Sequence, residues 1–369
     1  MTSNDYKIYF DCGHSRLRAG AFNKHDANNP FFTESLFFSD QEKIFSEIKK
    51  IIDLIEKNTN EYIKNINLMI DSPKMFSIGI SISKKIDKLK LSQKDIQFLV
   101  QEAKQQVLKS LNASNIIHII INNYKINNID YDYLPEDIKC NFISLDIIFI
   151  CLPEEIIEFF RNFFHKLNIS INQIVCSSYA KALNYKDNFS YYKNITFVDI
   201  GFNKTSITTF NNNKIISLDV LPVGGNNITK DISKVLKIDL RLAEDLKIDF
   251  SKNKVLVNDK NFSLELLQKI VFARIEEILE ISLDSIKLKI NKTDQCKMIL
   301  TGDGSKILNN QYKDKISLVN DVDVLEETIK DICNSGFKLE IGLNKQEVIV
   351  VPKKQVKHSF FEKLFHFFK

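Results

Sequence analysis

The sequence predicts an α/β protein of two related domains facing a shared cleft, and three observations carry that prediction. The first is the stretch Phe197–Phe210, FVDIGFNKTSITTF, in which an apolar run ends in Asp199-Ile200-Gly201 and the β-branched segment Thr205–Phe210 follows. β-Branched residues after the turn read as a second strand, whereas a Rossmann or P-loop site opens a helix at that point. This Asp-x-Gly therefore belongs to a β-hairpin, whose turn can present backbone N–H groups to a phosphate. The second is a repeat. Asp11-Cys12-Gly13 precedes the strand-like Leu17–Phe22, and both copies place a Phe (Phe22, Phe210) eleven residues after the Asp. The copies lie 188 residues apart (11 to 199), a domain-scale interval. The third is Met298–Ser305, MILTGDGS, an apolar strand running into a Gly-x-Gly-Ser turn.

Asp-x-Gly turns are common, so the repeat alone is equally compatible with two unrelated hairpins. Glycine usage decides. The chain has 10 glycines in 369 residues, against a usual share of about 7%. Yet Gly13, Gly201, Gly224, Gly225, Gly302 and Gly304 all fall in these loops. A chain that avoids glycine elsewhere keeps it where backbones approach closely.

Taken in order, residues 6–22 form the first hairpin. The apolar spacing from Asp40 to Lys57 predicts an amphipathic helix with Asp40 as N-cap. Asn67–Asp71 and Ser77–Ile86 read as strands, and Ser92-Gln93-Lys94-Asp95 as a capping box opening a helix to Leu108. Ile116–Ile121 and Tyr124–Ile129 are predicted strands. Asp146–Leu152 is expected to return to the core sheet, followed by a helix over Glu154–Leu167, the segment Ile171–Val175, and a helix over Cys176–Leu183. After the second hairpin, Asn226 or Asn227 is expected to cap a helix whose positive end points at the cleft. Lys260–Lys289 is strongly helical and contains Arg274, three residues before Glu277.

Composition excludes several function classes. With 44% hydrophobic and 27% charged residues, the chain reads as a soluble protein of two or three domains. A net charge of +4 is too small to argue for nucleic acid. The six cysteines have no C-x-x-C spacing and read as reduced thiols of a cytosolic protein; Cys12, in the first turn, reads as a packing residue. The six histidines lack metal-ligand spacing, and the N-terminus lacks a signal-peptide pattern.

The C-terminal stretch is a candidate membrane anchor. Ser359 and Glu362 form a capping box, after which Phe360, Phe361, Leu364, Phe365 and Phe368 share one face and Lys363 and Lys369 lie on the other. A helix of about 15 Å cannot span a bilayer, but it can lie in the interface, helped by the basic linker before it. The other reading is a terminal helix docked on the protein's own core.

These residues resemble the actin-like ATPase superfamily and, within it, the FtsA family of bacterial cell division proteins. The most family-specific string is LPVGGNNITKDI (Leu221–Ile232), followed by Ala243-Glu244-Asp245-Leu246-Lys247. The resemblance implies an actin-like fold, with residues 1–73 and 144–192 as the first domain and 74–143 as an inserted α+β subdomain. Residues 193–345 then form the second domain, 346–357 a linker and 358–369 the membrane-targeting helix. It further implies ATP held by Asp11, Gly13, Ser15, Arg16, Asp199, Gly201, Lys204, Thr205, Gly224, Gly225, Glu244, Lys247, Gly302, Gly304 and Ser305. Mg would be held through water by Asp11 and Asp199. The implied partners are the C-terminal tail of FtsZ, the inner membrane surface, further copies of the chain and later division proteins. Residues 232–297 would receive FtsZ, with Arg274 as a contact or, alternatively, as a plain ion pair with Glu277. An active ATPase and a pilus-assembly scaffold of the PilM type are the alternatives on this architecture.

Several residues depart from the family pattern. His14 stands where Thr is usual, Arg16 for Lys, Asp303 for a middle Gly and Ile121 for Pro. The second loop reads Gly201-Phe202-Asn203-Lys204-Thr205-Ser206 where Gly-Gly-Gly-Thr-Thr-Asp is usual. Ser206 removes a carboxylate, so the sequence predicts nucleotide binding with weak or absent hydrolysis.

Overall fold

Both Asp-x-Gly stretches are hairpin turns. The computed structural model of the chain describes residues 5–25, 30–36, 41–88, 91–111, 113–135, 138–254, 263–290, 295–308 and 322–340. In it β1 (Tyr6–Cys12) pairs antiparallel with β2 (Arg16–Asn23), and β2 with β3 (Phe31–Leu36). Helix α1 (Gln41–Thr59) returns the chain to β4 (Asn65–Ile70), which lies parallel to β1. Asp40, the expected cap of α1, lies outside the described residues.

An α+β module follows: β5 (Phe76–Lys88), α2 (Gln93–Ser110), β6 (Ser114–Ile126), β7 (Ile129–Tyr131) and β8 (Cys140–Pro153). Asp95 accepts from both the backbone N–H and the hydroxyl of Ser92, as the capping box requires. Ile96, Leu99, Val100, Ala103 and Val107 form the buried face of α2 and close a separate core with β5, β6 and β8. Two expectations change here. The two short strands expected between 116 and 129 are one long strand, which turns at Asn127 and Asn128, both with φ near +60°. Asn tolerates this left-handed geometry, which a two-residue hairpin needs. Asp146–Leu152 does not return to the core sheet, because β8 stays between β5 and β6 along its whole length.

Helix α3 (Glu154–Lys166) leads to β9 (Ser170–Cys176), parallel to β4, and then to α4 (Ser177–Lys186). The second hairpin joins β10 (Asn194–Ile200) to β11 (Thr205–Asn211), and β12 (Lys214–Leu221) completes the meander. Next come α5 (Gly225–Leu236), α6 (Leu240–Ser251), α7 (Leu264–Lys287), β13 (Cys296–Thr301), β14 (Val322–Val324) and α8 (Ile329–Glu340). The strand orders are β3-β2-β1-β4-β9 and β12-β11-β10-β13-β14. In both sheets three antiparallel strands continue into two parallel ones.

A strand covered on both faces is largely apolar; every residue of β10 is buried, and its polar members Asn194, Thr196 and Asp199 are each partnered. Helix α8 follows the second sheet in sequence yet packs on the first, where Cys333 and Phe337 meet Tyr9, Phe22 and Met69. Gly336 permits this contact, since a Cβ there would stand 2.6 Å from the Met69 sulfur. Ligand sites in such sheets form beyond the carboxyl ends of the parallel strands. At or just beyond those ends stand Asp11, Asp71, Ser177, Asp199 and Gly302, and all five line one cleft.

Candidate functional site: the cleft between the two sheets

The two hairpins turn in the same way. The Gly13 N–H donates to the Arg16 carbonyl at 3.0 Å, and the Gly201 N–H donates to the Lys204 carbonyl at 2.9 Å. Each turn therefore delivers a cationic side chain three residues after its glycine. Gly224 lies against the second turn, where a Cβ would meet the Gly201 carbonyl at 2.5 Å. Gly224 is the N-cap of α5, so the helix begins before Asn226 and Asn227, which were expected to cap it. Asn227 instead reaches back from the first turn, its Oδ1 accepting the Gly224 N–H at 3.1 Å. The first N–H groups of α5 are spent on the hairpin: Gly225 donates to the Gly201 carbonyl and Asn226 to that of Phe202. In the third loop Gly302 adopts φ +84°, and a Cβ on Gly304 would stand 2.4 Å from Ile200 Cγ2. These glycines let the loops pack on one another.

The cleft between the loops has a volume of about 460 Å³, within the range of small-molecule sites. Of the residues singled out by sequence, Asp11, Gly13, Ser15, Arg16, Asp199, Gly201, Lys204, Gly225, Glu244, Lys247, Gly302 and Gly304 line it. Thr205, Gly224 and Ser305 do not. The Thr205 hydroxyl donates to the Val223 carbonyl and that of Ser305 to the Gly302 carbonyl, so both hold loops in place. At one end of the cleft, Lys247 Nζ donates to Glu244 at 2.6 Å, to the Gly225 carbonyl at 3.0 Å and to Thr229 at 2.8 Å. Burial lowers the Lys247 pKa against the pull of Glu244. The Phe202 ring lies 5.4 Å from this ammonium and brings an aromatic face to the cleft.

The other end is a network of paired charges. Asp11 accepts from the Ser177 hydroxyl at 2.6 Å and from Arg18 at 3.1 Å, and Arg18 also donates to Asp303 at 2.6 Å. Arg16 Nε lies 3.2 Å from Asp303 without forming a hydrogen bond, although it is buried. Burial pushes the Asp303 carboxyl up, but Arg18, Arg16 and Lys306 outweigh it and hold the group well below the usual carboxylate range. Lys204 stands 2.9 Å from Asp71 and 3.8 Å from Asp199, and it donates to Ser206. Lys181, on α4, pairs with Asp199 at 3.0 Å and Glu327 at 3.2 Å. Burial disfavours both ammonium charges, yet the facing carboxylates keep both pKa values raised. Burial raises Glu327, and burial together with Asp11 pushes the Cys12 thiol well up, so Cys12 is a packing residue.

Arg18, Asp71, Ser177, Lys181 and Glu327 were not singled out by sequence. Two carried a signal: Arg18 shares a strand face with Arg16, and Lys181 is the lone charge in the first turns of an otherwise small and apolar helix. Asp71 sits just beyond a parallel strand, and Glu327 has no local signature.

A nucleotide fits this cleft in size and in the chemistry of its lining. The acidic pair expected to hold magnesium through water does not fit that ion. Both oxygens of Asp11 and both of Asp199 already face a hydroxyl, a guanidinium or an ammonium. Among the described residues, no cluster of three or more His, Cys, Asp or Glu side chains is arranged to hold a metal.

Away from the cleft, Arg274 makes a two-point contact with Asp231 on α5, at 2.7 and 3.1 Å, and a further bond to Glu277. The Glu277 pair was anticipated and the Asp231 pair was not. The expected membrane residues Phe360, Phe361, Lys363, Leu364, Phe365 and Phe368 lie outside the described residues. Among the described residues, no helix is long and apolar enough to cross a membrane.

The family model for the cell division protein FtsA matches residues 196–333, which hold the second hairpin, α5 to α7 and the third loop. The cell division protein FtsA of Buchnera aphidicola subsp. Acyrthosiphon pisum (strain APS) is 23% identical over 359 residues, covering 85% of each chain. The FtsA of Streptococcus pneumoniae serotype 2 (strain D39 / NCTC 7466) is 28% identical over 142 residues, covering 35% of this chain and 31% of its own. Among solved structures, the PilM-PilN type IV pilus biogenesis complex superposes with a TM-score of 0.58 at 12% identity, over 88% of this chain and 89% of that one. The ethanolamine utilization protein EutJ from Carboxydothermus hydrogenoformans gives 0.50 at 13% identity, over 92% and 90%. At such identities the structural likeness is one of fold.

Proposed function

The chain belongs to the FtsA and actin-like ATPase superfamily, and from that premise we propose that it is a nucleotide-binding adaptor of bacterial cell division. The carrying observation is the cleft itself, where two like hairpins and a third glycine loop converge on a lining rich in cationic side chains. In this reading the base and ribose lie at the end formed by Glu244, Lys247 and Phe202, with the third loop around Gly302 and Gly304 beside them. The phosphates lie toward Arg16, Lys204 and Lys181. The guanidinium of Arg16 offers phosphate a planar fork, and the two lysines offer it point charges. Ser206, facing Asp199 across the hairpin, offers no carboxylate to orient a water, so turnover is slow.

The adaptor role rests on family membership together with two sequence features. The Phe-rich stretch 358–369 would place the protein on the cytoplasmic face of the inner membrane, and the segment 232–297 would receive the acidic tail of FtsZ. Self-association and contacts with later division proteins belong to the same reading, with the module around α2 as a docking element. The test is a thermal shift with ATP, followed by co-sedimentation of FtsZ with liposomes in the presence and absence of the protein. A nucleotide at 100 times its Kd stabilises the folded state by about 2.7 kcal/mol. No shift at millimolar ATP would overturn the nucleotide half, and no FtsZ recruitment to liposomes would overturn the adaptor half.

A further inference from the structure

The cations at the phosphate end of the cleft come from the chain itself and tie its two walls together. Lys204, from the second hairpin, reaches Asp71 at the end of β4 in the first sheet. Lys181, from the helix that follows β9 of the first sheet, reaches Asp199 in the second. Arg18, in the first hairpin, reaches Asp303 in the third loop. Lys181 and Lys204 flank the two oxygens of Asp199, at 3.0 and 3.8 Å. Both lysines and Asp199 are buried.

A divalent ion near Asp199 would have to displace these ammonium groups or sit beside them as a like charge in a poorly solvated place. Neither is favourable, since repulsion between charges grows as the dielectric falls. Magnesium also demands near-ideal octahedral geometry and keeps several of its waters, and here each oxygen of Asp199 already has an ammonium group within 4 Å. Yet a polyphosphate still needs neutralisation, and two buried ammonium groups with raised pKa values carry the same total charge as one divalent ion.

We propose that this cleft takes its nucleoside triphosphate without a divalent cation, with the ammonium groups of Lys181 and Lys204 in the ion's place. The inference rests on the nucleotide reading above. It requires no covalent step, only a shift of the two ammonium groups from carboxylate toward phosphate as the ligand enters.

The experiment measures ATP affinity of the full chain by calorimetry, once in excess EDTA and once in millimolar magnesium. The two Kd values are expected to agree within about threefold, under 1 kcal/mol. Lys181→Gln frees one oxygen of Asp199; it is expected to weaken binding in EDTA at least tenfold and to recover part of the loss when magnesium is added. Lys204→Gln serves as the second variant, with far-UV circular dichroism confirming the fold of each. Binding by the wild type only in magnesium overturns the inference and leaves the nucleotide reading standing. Absence of binding in both conditions overturns the nucleotide reading itself. Unchanged EDTA affinity in both folded variants also overturns the inference, because the lysines would then not carry the phosphate.

Discussion

Replacing Arg18 by Met isolates the contribution of one cross-cleft cation to stability. The Arg18 side chain is 12% exposed and bridges Asp11, which is 8% exposed, and Asp303, which is 33% exposed. Removing one partner of a fully buried pair costs about 3–5 kcal/mol, because it strands the other charge. Asp11 approaches that case, since it retains only the Ser177 hydroxyl among the bonds described above. Asp303 does not, for it is a third exposed and keeps Lys306 at 2.7 Å, so its share falls toward the surface-pair value of at most about 1 kcal/mol. The expected loss is then about 2–3 kcal/mol, with Met retaining much of the apolar stem. Urea unfolding followed by far-UV circular dichroism is the suitable assay, because the chain has no Trp to report by fluorescence. With a urea slope of about 3 kcal/mol/M or more for a chain longer than a small domain, the midpoint should fall by about 0.5–1 M. Adding Asp11→Asn should recover about 1 kcal/mol or more, as expected for groups in one network. A midpoint unchanged within about 0.2 M, or strictly additive single losses, would refute the claim that Arg18 neutralises a buried acid.

Three other outcomes are expected. Asp303 and Asp71 have depressed folded pKa values, so their stabilisation is fully present above the unfolded carboxylate pKa of about 4 and is lost as pH falls below it. Asp303→Asn should therefore flatten the acid limb of a pH–stability curve below pH about 4; an unaltered limb would contradict the assignment. Phe361→Glu with Phe365→Glu should release the protein from anionic vesicles while leaving its melting temperature unchanged, since burying charge costs more than the ring contacts contribute; a lowered melting temperature would mean that the tail packs on the body. Arg274→Glu should weaken capture of an acidic FtsZ tail peptide and, by facing Asp231, lower stability by about 1–2 kcal/mol; with Asp231→Asn also present, peptide binding should stay weak while stability returns. Unchanged peptide affinity would confine Arg274 to joining α5 and α7.

The turns were legible because their chemistry is local. Asp-x-Gly followed by a β-branched run admits few backbone solutions, and both hairpins closed through the same glycine N–H. The N-terminus of α5 was not, because asparagine is a better cap than glycine in general, while here only glycine fits against the Gly201 carbonyl. β8 misled for a related reason. Ile147–Leu152 is apolar on both faces, so it reads equally well in either sheet. The cross-cleft pairs were not legible as pairs, although Arg18 and Lys181 each stood out locally. Arg18 and Asp303 are separated by 285 residues and Lys181 and Glu327 by 146, so only tertiary structure brings them together.

The departures from the family pattern gain meaning once their partners are visible. Read one by one along the chain, Asp303, Lys204 and Ser206 look like decay of a phosphate site. In space they are complementary. The acid gained at 303 faces the guanidinium groups of Arg18 and Arg16. The acid absent at 206 leaves a hydroxyl, which accepts the ammonium of Lys204, itself held by Asp71. Unselected drift would strand charges in a buried cleft, each costing several kcal/mol, and the chain would lose its fold along with its ligand. Here Asp303 and Lys204 have instead matching partners from the opposite wall, and Ser206 is matched within its own hairpin. On the proposal above, such a set of paired charges leaves the lysines, and not a divalent ion, to meet a phosphate entering between the two walls.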